Sequence, residues 1–206
     1  MSNPITNANI PTIPDWHSRG YLPHVENKQL QMVTFRLYDS IPKAILNKWK
    51  ENVIAESNID VINKLQNQIM EYDDNGYGCC FLKIFSIARL SEYTLLRDDG
   101  SEYDLIRWCI MPNHIHTLIN VKQGHTVYGI VQKWKPVIAH KANTILNRHG
   151  RFWMPEYHDR YIRDDNHLSK AVQYIDNNPV KAGLAQLPTD WRWSSAGYLD
   201  FISRTH

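Results

Sequence analysis

The stretch Trp108-Cys109-Ile110-Met111-Pro112-Asn113-His114-Ile115-His116-Thr117-Leu118-Ile119-Asn120 decides how the rest of the chain is arranged. Two short apolar runs read as strands, about 103–111 and 114–121, with Met111-Pro112-Asn113 as a tight reversal between them. Side chains two apart on a strand share a face. His114 and His116 therefore stand side by side, while Ile115 points the other way, into the core. Two imidazoles on one strand face form either a bidentate metal platform or a hydrogen-bonded pair. A metal platform needs a third ligand and a reactive group, and both must come from elsewhere in the chain.

Working outward, Val33, Phe35 and Leu37 alternate with Thr34, Arg36 and Tyr38, the pattern of a strand with one buried face. Asp39-Ser40-Ile41-Pro42 opens a helix, with Asp39 or Ser40 as cap and Pro42 in the first turn. Residues 43–72 read as helical, with Ile62, Leu65 and Ile69 at helical spacing, and Asp73-Asp74-Asn75-Gly76 breaks the pattern. A second helical stretch covers about 79–97. Downstream of the histidines, Val127, Ile130, Val131, Trp134 and Ile138 mark a long helix over 126–147, with a kink expected at Pro136. A strand follows at 157–162. A helix over about 166–178 carries the stripe Leu168/Ala171/Val172/Ile175, and Asn178-Pro179 is expected to stop it.

Setting aside extra helical material within 43–97, the order is β-α-β-β-α-β plus a final helix. That order predicts an α+β, ferredoxin-like (split βαβ) antiparallel sheet with helices on one face, plus a helical insertion. The expected organisation is an N-terminal arm (1–18), one domain (19–198, insertion about 43–97) and a short tail (199–206).

The bulk numbers exclude some classes. With 206 residues, 43% hydrophobic and 21% charged, the chain suits one globular domain with embellishments. A net charge of +2 gives no global drive toward nucleic acid, though a local basic patch remains compatible with it. Three cysteines (Cys79, Cys80, Cys109) without metal-knuckle spacing argue against a disulfide framework and fit a reducing cytoplasm. No apolar run approaches the roughly 20 residues that span a bilayer. Met1 to Pro14 lacks the charged start and apolar block of a signal peptide.

The last helix offers what the histidines lack. Tyr174 and Asn178, four residues apart, project from one helix face beside the apolar stripe. Packed against the histidine strand, that helix would let Asn178 complete a three-ligand site and stand Tyr174 beside the metal. A phenol ionises near pH 10 in water, and a nearby cation lowers that value. The same cation polarises a phosphodiester for in-line attack, giving a phosphotyrosine and a free 3′-hydroxyl. Imidazole suits softer divalent ions while amide and phosphate oxygens suit Mg²⁺ or Mn²⁺; the mixed set is a compromise that Mn²⁺ fits well.

Met111-Pro112-Asn113-His114-Ile115-His116 resembles the His-hydrophobe-His motif of single-tyrosine transposases. Tyr174-Ile175-Asp176-Asn177-Asn178-Pro179-Val180-Lys181-Ala182-Gly183-Leu184 resembles the tyrosine segment of the same group. The likeness is closest to the REP-associated tyrosine transposases. It extends to Gly20-Tyr21-Leu22-Pro23-His24, to Val33–Leu37, to the segment from Phe152-Trp153 to Arg163, and to Trp191-Arg192-Trp193-Ser194-Ser195-Ala196.

The resemblance implies a divalent ion held by His114, His116 and Asn178, with Tyr174 as nucleophile. Asn at the third position is the choice of the REP-associated branch, where insertion-sequence relatives usually carry Gln. It also implies a bacterial protein, at the nucleoid, that cleaves and rejoins single-stranded DNA beside imperfect palindromic hairpins. That branch implies a monomer and no membrane partner. DNA contacts would fall to the Gly20, Tyr21, Leu22, Pro23, His24 loop and to Arg36, Lys133, Lys135, Arg151, Trp153, Arg160, Arg163 and Lys181.

Two rivals stand beside this reading. One is a non-catalytic ferredoxin-like nucleic-acid-binding protein with structural histidines. The other is a zinc hydrolase, which needs a carboxylate near the histidines; none lies within 108–120.

Overall fold

In the computed structural model, alternation and turn chemistry place strand β3 (Leu30–Arg36) at the centre of a four-stranded sheet. The described residues are 16–18 and 23–25 (as backbone), 28–42, 44, 45, 47, 48, 51, 64, 68, 69, 71, 72 and 74–199. The predicted helix over 43–72 and the N-terminal arm therefore lie largely outside them. β1 (Trp16–Ser18) and β2 (Pro23–Val25) pair as a separate two-stranded ribbon.

The sheet itself is β3 with β4 (Tyr103–Ile110), β5 (His114–Val121) and β6 (His158–Tyr161), in the order β4-β5-β3-β6 with every pair antiparallel. This is the strand order of the split βαβ pattern. Met111 donates its N–H to the His114 carbonyl at 2.9 Å, closing the predicted reversal between β4 and β5. β4 and β5 slip register between Leu105 and Arg107.

Helices α1 (Phe85–Leu96) and α2 (Val127–Ile145) cover one face. α1 lies within the stretch set aside as an insertion; it is the first crossover helix. Thr126 caps α2 by accepting the Gly129 N–H. Val33, Phe35, Ile115 and Ile119 point into this layer, against Ile87, Leu95, Ile130 and Trp134. Polar atoms buried here are tied to one another. The Trp134 indole N–H donates to the Tyr103 hydroxyl at 3.1 Å, and that hydroxyl donates to the Leu95 carbonyl at 2.6 Å.

The final helix, α3 (Asp165–Lys181), lies across the opposite face on Met32, Cys109, Met111 and Leu118. Asp164 caps it, accepting the His167 N–H at 2.7 Å. Its end differs from expectation: the helix runs through Pro179 to Lys181. A proline in the last turn removes one N–H but leaves the following carbonyls bonded. Ala182 donates to Asn178, and Leu184 donates to Pro179. The stop comes from Gly183, at φ +69°, a left-handed position that glycine takes without steric cost.

The outer side of β4 is closed by the chain's own tail. The Ser195 hydroxyl meets both the N–H and the carbonyl of Trp108 at 3.2 Å. Ile110 N–H donates to the Trp193 carbonyl at 2.7 Å, and the Trp191 indole donates to the Ile110 carbonyl at 3.0 Å. Nearer the strand's start, Leu105 N–H donates to Asp99 and Gly100 N–H to the Tyr103 carbonyl. Among the described residues, no helix is long and apolar enough to cross a membrane.

Candidate active site

β5 aims its alternate side chains at α3. His114 and His116 are fully buried on that face, opposite Arg36 and Thr34 of β3, with Ile115 on the dry side. Their Nε2 atoms converge to 2.9 Å. The protonation of His114 follows from its neighbours. Asn113 gives its Nδ2–H to the Tyr77 carbonyl, which fixes the amide and leaves Oδ1 to accept from His114 Nδ1 at 2.8 Å. The neutral His114 ring therefore carries its proton on Nδ1 and presents Nε2 as a lone pair. His116 Nδ1 lies 2.7 Å from the Thr34 hydroxyl, which can donate to it or accept from it according to the tautomer. Both rings are thus held with oxygen on Nδ1 and Nε2 turned to a common point, the orientation that suits a metal-binding imidazole.

Burial keeps both rings neutral. It lowers His114 well below its usual value, with His116 and Arg36 adding to the effect. It brings His116 down to about 4, against the opposing pull of Asp74. A neutral imidazole is the ligating form.

Asp74 supplies the carboxylate absent from 108–120. Its Oδ1 lies 4.0 Å from His114 Nε2, and one ligand atom from each of Asp74, His114 and His116 falls within 4.8 Å of the others. This His/Asp cluster is compatible with a divalent metal ion. The sequence reading missed Asp74 as a site residue, taking it only as part of a break in the helical pattern.

α3 delivers the rest. The Tyr174 ring stands 5.2 Å from that of His116, and its hydroxyl donates to Asp74 Oδ1 at 3.4 Å. Asn178, 1% exposed, donates Nδ2–H to Asp74 Oδ1 at 3.0 Å, and that nitrogen lies 3.4 Å from His116 Nε2. Its Oδ1 is buried with no hydrogen-bond partner among the described residues. Turning the amide over would bring that orphan oxygen to the histidines and Asp74, which is what a cation-binding amide requires. Lys181 Nζ pairs with Asp74 Oδ2 at 2.9 Å. The structure thus brings His114, His116, Tyr174, Asn178 and Lys181 together.

Other expected DNA contacts fall elsewhere. Trp153 is buried: its ring meets Phe35 edge-on at 5.0 Å and its N–H donates to the Lys135 carbonyl, so no face is open to a base. Lys135 is buried too, donating to the Met154 and Pro155 carbonyls, and burial lowers it to about 8; it ties a loop to α2. Arg36 is buried in β3 beneath the histidines. Lys133 sits on α2, on the far side of the sheet, paired with Glu102. Arg151 stacks over Tyr38 at 5.6 Å, and Arg163 is exposed before α3. Arg160, on β6 opposite Met32, shares the histidine face. Gly20, Tyr21 and Leu22 lie outside the described residues, and Pro23 and His24 are described only as backbone of β2.

Residues 88–178 match the family model described as "Transposase IS200 like", a stretch that holds both histidines, Tyr174 and Asn178. The chain is 29% identical over 103 residues to a protein of Haemophilus influenzae assigned as a REP-associated tyrosine transposase, covering 45% of this chain and 58% of that one. It is 25% identical over 93 residues to the REP-associated tyrosine transposase of Escherichia coli K12, covering 45% and 54%. The match spans little more than half the length of these curated relatives. A solved structure of a REP-associated tyrosine transposase bound to a REP hairpin shares the fold, with a TM-score of 0.50 at 16% identity, over 87% of this chain and 81% of that one. Residues 88–178 are thus similar to IS200-like transposases, and the curated relatives that the chain resembles are REP-associated tyrosine transposases.

Proposed function

We propose that this protein cleaves and rejoins single-stranded DNA beside REP-type hairpins through a 5′-phosphotyrosine on Tyr174, in a reaction that depends on a divalent cation. One observation carries the reading: α3 stands the phenol of Tyr174 against the paired, neutral imidazoles of its own chain, with a buried amide and carboxylate alongside. His114, His116 and Asn178 would hold Mg²⁺ or Mn²⁺. The cation supplies the positive charge that polarises a phosphodiester oxygen.

Tyr174 bonds to phosphorus as the bond from phosphorus to the 3′ oxygen breaks. The phenol gives up its proton and the departing 3′ oxygen takes one. Attack by another 3′-hydroxyl on the phosphotyrosine reverses the step and joins strands. Asn113 and Thr34 keep both Nε2 atoms turned inward, so the two imidazoles are already oriented for the cation. Meeting of tyrosine and histidines within one chain supports a monomer working in cis. REP-hairpin binding by the structural relative, as its name states, supports the substrate class. Arg160, Arg163 and Lys181 are the basic side chains best placed to hold the strand.

The test is a denaturing gel of labelled single-stranded hairpin DNA incubated with Mn²⁺. A covalent adduct is expected from the native chain, none from Tyr174→Phe, with hairpin binding kept. Binding without any adduct from the native chain would instead identify a non-catalytic nucleic-acid-binding protein. Continued cleavage by Tyr174→Phe would move the nucleophile elsewhere.

A further inference from the structure

We infer that Asp74 is the anionic ligand of this cation site, so that one carboxylate completes the histidine platform and fastens the tyrosine helix to it. The inference rests on the metal-dependent reading above and deepens it. Asp74 belongs to the segment before α1, remote in sequence from both histidines and α3, yet its side chain is only 8% exposed. A carboxylate placed so deeply is costly unless charge or hydrogen bonds compensate it.

Its two oxygens are divided between two kinds of partner. Oδ2 takes the Lys181 ammonium at 2.9 Å. Oδ1 takes Asn178 Nδ2 at 3.0 Å and the Tyr174 hydroxyl at 3.4 Å, and it is the oxygen that lies 4.0 Å from His114 Nε2. Residues 174, 178 and 181 recur along one face of α3, so a single side chain holds the face that carries the phenol. Two imidazoles and an amide bring no charge to a cation. The carboxylate adds one negative charge and a hard oxygen, a nitrogen–oxygen mixture that favours Mn²⁺ over Mg²⁺. Lys181, 62% exposed, competes with the cation for that charge.

Calorimetric titration of the full chain with Mn²⁺ alone, without DNA, tests the assignment. Asp74→Asn is expected to weaken Mn²⁺ by about tenfold or more, at least as much as loss of an outer-shell partner does. Lys181→Ala is expected to tighten Mn²⁺ several-fold, because the competing charge is gone, and as an exposed position it leaves the fold intact. His114→Ala with His116→Ala is the reference for a lost platform. Native-like Mn²⁺ affinity in Asp74→Asn, with loss in the double histidine variant, overturns the Asp74 assignment and leaves the platform standing. Native-like affinity in both overturns the metal-dependent reading with it.

Discussion

The two faces of one sheet are built to opposite rules. Toward α1 and α2 the strands present Val33, Phe35, Ile115 and Ile119, and the Trp134 indole and Tyr103 hydroxyl there are bonded in series to the Leu95 carbonyl. Toward α3 the same strands present Thr34, Arg36, His114 and His116, with Asn178 pressed against them and one amide oxygen left orphaned. The first face lowers free energy by burying apolar surface. The second forgoes part of that gain to keep lone pairs dry and aimed. The apolar layer and the candidate site are thereby separated by the thickness of a single β-sheet, and period-two alternation does the sorting.

Substitutions that strike one face should spare the other's property. Trp134→Ala should have the largest effect, a loss of about 3–5 kcal/mol from the dry layer, read as a fall in Tm. Mn²⁺ affinity of the folded protein should stay native; a parallel loss of affinity would break the separation. Next comes acid sensitivity. Both histidines are neutral when folded and ionise near 6.5 when unfolded, so the unfolded chain binds more protons. In EDTA, stability should be full above pH 6.5 and decline as pH falls from there to about 4, the His116 value. The double variant His114→Ala with His116→Ala should flatten that part of the Tm–pH curve; an unchanged slope would place the acid-sensitive groups elsewhere.

For DNA, Arg160→Ala should weaken hairpin binding and reduce its salt dependence, since Arg160 shares the histidine face. Lys133→Ala, across the sheet and paired at the surface, should change stability by about 0–1 kcal/mol and leave hairpin affinity alone. Equal losses from the two would mean that DNA wraps both sides.

The sheet was legible in the sequence because alternation is a local signal: β3, β4, β5 and β6 lie within a residue or two of their expected bounds. Tyr174 and Asn178 were legible because four-residue spacing on a helix needs no tertiary knowledge. Asp74 was not. Nothing in Asp73-Asp74-Asn75-Gly76 distinguishes a solvated turn from a carboxylate driven 4.0 Å from a histidine, because the packing that turns it inward is long-range. Trp153 and Lys135 failed in the other direction. Both residue types serve nucleic-acid surfaces and cores alike, and only packing decides which. Pro179 misled because a proline in a helix's final turn breaks little, while Gly183 four residues on sets the end.

The closure of β4 by residues 191–195 has a consequence for how copies of this chain meet. A terminal strand normally offers a ladder of bare amides and carbonyls on which a neighbouring polypeptide can template itself. Here Trp108 and Ile110 have spent theirs on Ser195, Trp193 and Trp191, and Tyr103 and Leu105 on the turn before them. Gly197 lets that seal lie flat: a methyl group there would sit 2.1 Å from the Trp191 carbonyl oxygen. Fibril-like stacking through this rim is blocked from within, by a plug that travels with the molecule.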